Sequence, residues 1–301
     1  MLTLYIIGNG FDLFNGLKTR YSDFHEYVIR HFPDLENKIE EYFHFETDWK
    51  YLWKNFEHDL SSFNYKSFFD DYNHIEVTSE SFKPSELFSL VDEISEEVDN
   101  LVDEIREAFT EWISDIGIPN EYGFTYRFPE HSIFINFNYT TTLESLYGIP
   151  KKDILYIHNN ADDYHGELIF GHGQSEEFDP APPTFDEYGE PTRTPFTDSE
   201  NASRYPFYAL MKNTEEVLSD HEDFFKNLPP FDDIIVLGHS LGKPDWPYFK
   251  LLNHLSVECN WRLSFYSEEE RHALHAIAIE ELGIPSRQIR MVKMEDEIIQ
   301  L

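Results

Sequence analysis

Residues 2–7, Leu-Thr-Leu-Tyr-Ile-Ile, run straight into Gly8-Asn9-Gly10, and this junction constrains the fold more than any other stretch. A short run of aliphatic, aromatic and β-branched residues suits a strand buried on both faces of a parallel sheet. A strand ending in glycines is how α/β folds bring backbone close to a dinucleotide phosphate. Glycine permits unusual dihedrals, and the N–H groups of the turn and the next helix face the anion. Gly16 completes a G-x-G-x-x-x-x-x-G spacing, which differs from the G-x-G-x-x-G of dehydrogenases. A tight strand-to-helix turn without a ligand therefore stands beside the phosphate-binding reading. Asp12 and Asp23 flank the loop and could accept hydrogen bonds from a ribose or cap turns. Lys18 and Arg20 are its only cations. Ser22 reads as the N-cap of a helix presenting Phe24, Tyr27, Val28 and His31 on one side.

Pro33 ends that helix. From 34 to 62 the pattern is helical again, through Leu35, Ile39, Tyr42 and Phe43, then Trp49, Leu52, Trp53, Phe56 and Leu60. Residues 63–83 are polar and aromatic and read as a loop. Residues 84–116 carry Leu87, Leu90, Val91, Ile94, Val98, Leu101, Val102, Ile105 and Phe109 at helical steps. The expectation is a helical block at about 31–127, inserted after the first strand–helix unit.

Strands resume at 131–137, 153–158 and 168–173. Each is followed by or ends in polar residues: Asn138 in Asn136-Phe137-Asn138-Tyr139-Thr140, then His158, then His172 between Gly171 and Gly173. Open α/β sheets bind ligands outside the carboxyl ends of their strands, so these three residues mark a candidate site. His158, His165 and His172 are spaced by seven, but there is no H-E-x-x-H and no cysteine pair, so no metal is expected. Residues 175–200 are acidic and proline-rich and read as a long mobile loop. A helical pattern over 203–227, strands at 232–237, 261–266 and 289–292, and a helix at 268–282 complete the chain.

Gly238-His239-Ser240-Leu241-Gly242 matches the G-x-S-x-G nucleophile elbow of α/β-hydrolases. An elbow needs a helix directly after the serine. Lys243-Pro244-Asp245-Trp246-Pro247 instead places two prolines where a helix would begin near 245–248.

Charge restricts partners. The chain has 23 Lys+Arg against 58 Asp+Glu, a formal net charge of −35. Such a field repels phosphodiester backbones, so no nucleic-acid partner is expected, and an anionic dinucleotide would need backbone N–H groups or local cations. Cys259 is the single cysteine, which excludes an intrachain disulfide and suits a cytoplasmic location. No apolar run approaches the ~20 residues of a membrane helix, and no membrane partner is expected.

Four ordered blocks, IIGNGFDLFNGLKTRYSDF, FNYTTTLESLYG, IH…IFGHG and VLGHSLGKPDWPYF, resemble the AbiH family of bacteriophage abortive-infection proteins over nearly the whole chain. A more distant resemblance is to sirtuin-like NAD-binding proteins. Gly8, Gly10 and Gly16 fall on the glycines of their GAGxSxxxGI turn, with Asn9, Phe11 and Asp12 between them. Asp23-Phe24 falls on the Asp-Phe that follows, four residues late. Asn138 falls on the catalytic Asn, Thr140 replaces an Asp, and His158 falls on the catalytic His with Asn159 in place of its glycine. Gly238, His239 and Ser240 resemble the ribose-binding GTSL loop. The Cys-x-x-Cys pairs of the structural zinc are missing, which points to NAD hydrolysis over deacylation. The resemblance implies one α/β domain over 1–301, a Rossmann-like (sirtuin/DHS-like) parallel sheet with the helical insertion. It implies NAD or a related nucleotide as substrate or ligand, with Asn138 and His158 catalytic and the other residues named, His172 included, binding it. A phage-derived trigger and a homo-oligomer are the further partners it suggests. A serine hydrolase built on Ser240 and a non-catalytic nucleotide-sensing defence component are the alternatives.

Overall fold

The structure, a computed structural model, describes residues 2–45, 53, 55–118, 126–161, 166–177, 179–256 and 258–300. Trp49, Leu52 and His165 of the patterns above lie outside the described residues. The chain divides into two compact units. The first comprises Met1–Arg20, Thr110–Ile169 and Asn213–Leu301, the second Tyr21–Phe109 and Phe170–Lys212.

The first unit is built on a six-stranded sheet of β1 (Thr3–Ile7), β2 (Ser132–Asn136), β3 (Ile154–Tyr156), β4 (Asp233–Leu237), β5 (Asn260–Ser264) and β6 (Ile289–Val292). Its spatial order is β3-β2-β1-β4-β5-β6, with every neighbouring pair parallel. This is the order of a Rossmann-like sheet, so the expected fold class holds. Both faces are covered. Tyr5, Ile7, Phe134, Ile235 and Leu237 pack with Phe11, Phe128 and Leu143 on one side. Leu4, Ile6, Ile135, Ile234 and Val236 pack with Phe249, Leu252, Leu274 and Ala278 on the other. Two-sided burial is why β1 and β4 read as unbroken apolar runs. Residues Tyr126–Arg127 and Ile299–Gln300 form a separate antiparallel pair.

Register fixes where the site lies. Ile7 is level with Asn136 on one side and Leu237 on the other, and Asn136 is level with Tyr156. The segments starting at Gly8, Phe137, Ile157 and Gly238 therefore leave one edge side by side. The chain fills the sheet to one side of β1 and then crosses to β4 on the other. The β1/β4 boundary is thus the topological switch point.

The second unit is helical, with Tyr21–His31, Pro33–Tyr42, Tyr65–Tyr72 and Pro84–Asp115 as its longer helices, the last belonging to it through Phe109. Phe24 is fully buried among Trp53, Phe56 and Phe109, at ring-centroid distances of 5.4, 5.1 and 5.4 Å. Several local expectations are corrected. Ser22 lies inside the first turn, because the helix starts at Tyr21. Residues 63–83 are not all loop. Asn64 caps Tyr65–Tyr72 by accepting the Ser67 N–H, and Tyr65, Phe68 and Phe69 are buried. The helix expected over 203–227 is broken into Tyr205–Ala209, Thr214–Asp220 and Glu222–Lys226. The strand expected at 168–173 does not form, and only a single bridge joins His172 to Met211. Among the described residues, no helix is long and apolar enough to cross a membrane.

Candidate active site

The two glycine turns at the switch point lock into each other. Gly8 N–H donates to Leu237 O at 2.9 Å, Gly10 N–H to Gly238 O at 2.8 Å, and Phe11 N–H to Gly8 O at 2.8 Å. Gly238 has φ +68, and a Cβ built on it would stand 2.2 Å from Phe11 N. A Cβ on Gly8 would meet His239 Cα at 2.6 Å, and one on Gly10 would meet Gly238 Cα at 2.8 Å. Close backbone packing thus accounts for these three glycines. It also engages two of the N–H groups, those of Gly10 and Phe11, that were expected to cradle a phosphate.

Gly16 has a different reason. With φ +80 it follows the helix Asn9–Phe14, its N–H donating to Leu13 O and that of Leu17 to Asp12 O. That bond pair is the Schellman ending that favours glycine. Asn9 Nδ2 donates to Thr19 O at 2.7 Å and ties down the loop that follows. Phe11 is buried against Phe128 and Tyr147.

Beyond β2, Asn138 is 5% exposed. Its N–H donates to Asn136 Oδ1 at 3.0 Å and its Nδ2 to Gly8 O at 3.1 Å, so it bridges the ends of β1 and β2. Asp12 lies beside it, 1% exposed, with Thr140 Oγ1 donating to its Oδ2 at 2.5 Å. Burial pushes the Asp12 carboxyl up to about 6, although Thr140, Thr142 and Asn138 favour the ionised form. Because its folded value is raised, Asp12 supports the fold below its ordinary value near 3.8, and that support is lost as pH rises through about 6. The shift corresponds to about 3 kcal/mol at neutral pH and above. Asp12→Asn is therefore expected to stabilise the protein more at pH 8 than at pH 5, by about 1 kcal/mol in urea unfolding. A gain independent of pH would mean that this carboxyl is not titrating in the folded protein.

The third group is built on two histidines. His158, 2% exposed, follows β3, and His239, 6% exposed, follows β4. Their rings flank Phe137, at 5.3 and 4.5 Å between centroids. His239 Nδ1 accepts the Leu241 N–H at 3.0 Å, which leaves Nε2 as its protonated nitrogen, 3.4 Å from Asp245 Oδ2. His158 Nε2 lies 3.8 Å from the other oxygen, Oδ1. One carboxylate therefore faces two buried imidazoles. Asp245 was not among the residues expected from sequence. It occupies the N-cap position of the helix Trp246–Leu255 without capping it, and turns instead to the histidines.

Ser240 does not have elbow geometry. It is exposed, and a turn of 3-10 helix at Lys243–Asp245 precedes the helix Trp246–Leu255. Among the described residues no hydrogen bond joins it to a histidine.

The first unit thus brings together Gly8, Gly10, Phe11, Asp12, Asn138, Thr140, His158, Gly238 and His239, with Asn9, Gly16 and Ser240 on the same loops. Asp23, Phe24 and His172 belong to the second unit. Phe24 is core there, and His172 is fully buried with both ring nitrogens on backbone. Its Nε2 donates to Phe207 O at 2.8 Å and its Nδ1 accepts the Gln174 N–H at 3.2 Å. Burial lowers its affinity for a proton.

No curated protein and no solved structure matches the chain. The family model described as bacteriophage abortive infection AbiH matches residues 4–265, which include both glycine turns, Asn138, both histidines and Asp245. That match covers most of the chain, and the protein belongs to the AbiH family, with the role in phage abortive infection that the family implies.

Proposed function

We propose that this AbiH protein acts by binding NAD at the carboxyl edge of its sheet and hydrolysing the nicotinamide glycosidic bond. The observation that carries the reading is the convergence of Asn138, Asp12 and the His158–Asp245–His239 group beside the β1/β4 switch point, where Rossmann-like sheets take dinucleotides. The bond from ribose C1′ to the nicotinamide nitrogen breaks with its electron pair leaving on nicotinamide, and a cationic, oxocarbenium-like sugar develops. Water adds at C1′ and gives its proton to His158, yielding nicotinamide, ADP-ribose and a proton. The Asp12 and Asp245 carboxylates favour positive charge at the sugar and on the imidazole respectively. Asn138 holds the ribose and orients the water.

The test is NAD consumption by purified protein, with and without phage lysate to supply a trigger. Asn138→Ala should lower turnover by about 100-fold, the effect of losing one positioned hydrogen-bonding group. Wild-type turnover retained in that variant would remove Asn138 from the reaction. Binding without consumption under both conditions would favour the nucleotide-sensing alternative, and labelling of Ser240 by a fluorophosphonate would favour the serine hydrolase.

A further inference from the structure

We propose that His25, Glu36 and Glu40 form a divalent-metal site within the second unit, of the zinc class. His25 lies on the helix Tyr21–His31, and Glu36 and Glu40 lie one turn apart on the helix Pro33–Tyr42. One ligand atom from each residue lies within 4.8 Å of the other two, and His25 Nε2 is 3.7 Å from Glu36 Oε1.

Two observations go beyond a chance acidic cluster. His25 is 9% exposed, packed against the Trp53 ring at 4.6 Å, and its buried Nε2 makes no hydrogen bond among the described residues. A buried ring nitrogen without a hydrogen bond is costly, and it faces the two carboxylates. Second, two glutamates four residues apart on a helix repel each other, in a chain already strongly negative. A cation between them relieves both defects.

The donor set selects the class. One imidazole nitrogen with two carboxylate oxygens suits zinc, whereas magnesium and calcium prefer oxygen alone. Two atoms each about 2.1 Å from one zinc are at most about 4.2 Å apart. The His25–Glu36 pair already meets that limit, and Glu40, exposed and within 4.8 Å of both, would have to close in by at most about 0.6 Å. Three protein donors leave a coordination position for water at the exposed Glu40 side.

Titration calorimetry of the full chain with zinc chloride tests the site, with far-UV circular dichroism to check folding. Wild type is expected to bind one equivalent that EDTA removes. Glu36→Gln and Glu40→Gln should each weaken it by more than about tenfold, since even outer-shell changes do as much. Glu41→Gln, the same charge change on an exposed neighbour, should leave it intact. Absence of a stoichiometric site in the folded wild type, or equal binding in Glu36→Gln and Glu41→Gln, would overturn the proposal.

Discussion

Gly238→Ala is expected to remove more than about 4 kcal/mol of stability, enough to leave little folded protein at 37 °C. Two independent penalties add at this position. A left-handed φ of +68 costs an L-residue roughly 1–2 kcal/mol by itself. The larger penalty is steric, because the new Cβ would stand 2.2 Å from Phe11 N and 2.5 Å from Gly10 C. Both neighbours are backbone held by the Gly8–Leu237 and Gly10–Gly238 hydrogen bonds, so no side-chain rotation relieves the clash. Gly16→Ala separates the two penalties. Its φ is +80, yet a Cβ there has no atom within 4 Å, so it should lose only about 1–2 kcal/mol. Soluble yield and urea midpoints of the two variants measure the difference. Equal losses would mean that the interlocked turns can move apart. The comparison bears on function too: glycines required by backbone packing are not by themselves a sign of a bound phosphate.

The two central strands, β1 and β4, were legible as apolar runs that end at a glycine, because a strand buried on both faces has few polar positions to interrupt it. The same signal misled at 168–173. Phe170 is buried, but it stacks on Phe109 at 4.2 Å in the second unit, so the apolar run reports burial without strand pairing. The helix Tyr65–Tyr72 was missed because two turns give too few apolar steps to establish a period. In the site, Asn138 and His158 could be placed because they directly follow strands whose ends are level. His172 follows no sheet strand, and its ring is committed to backbone. Asp245 was hidden by a plausible local role: an aspartate at the start of a helix reads as a cap. Only the fold, which sets β3 and β4 on either side of β2 and β1, brings His158 and His239 to that carboxylate.

Asp245→Asn is the variant expected to reduce NAD turnover most, by about 10³- to 10⁴-fold, with little change in KM. When His158 takes a proton its imidazole becomes a cation almost sealed from water. A buried cation is unfavourable unless a counter-charge is already in place, and Asp245 supplies one 3.8 Å from Nε2. Asparagine keeps the volume of that position but removes the charge and replaces one acceptor oxygen by an N–H donor. Replacing the orienting aspartate of a Ser-His-Asp triad by asparagine costs about 10⁴-fold in kcat, there because the histidine is held in the wrong tautomer. KM should move little because Asp245 acts through the imidazole and not on the dinucleotide, so the loss falls on the step in which positive charge develops. A purely structural role would give another outcome. Lost orientation of His158 and His239 would lower the unfolding midpoint and weaken nucleotide binding together. Asp245→Asn with intact stability, near-normal KM and collapsed kcat assigns it to positioning and charge balance. Unchanged kcat would mean that no buried imidazolium forms at His158 in the reaction and would make Asp12 the next base to test.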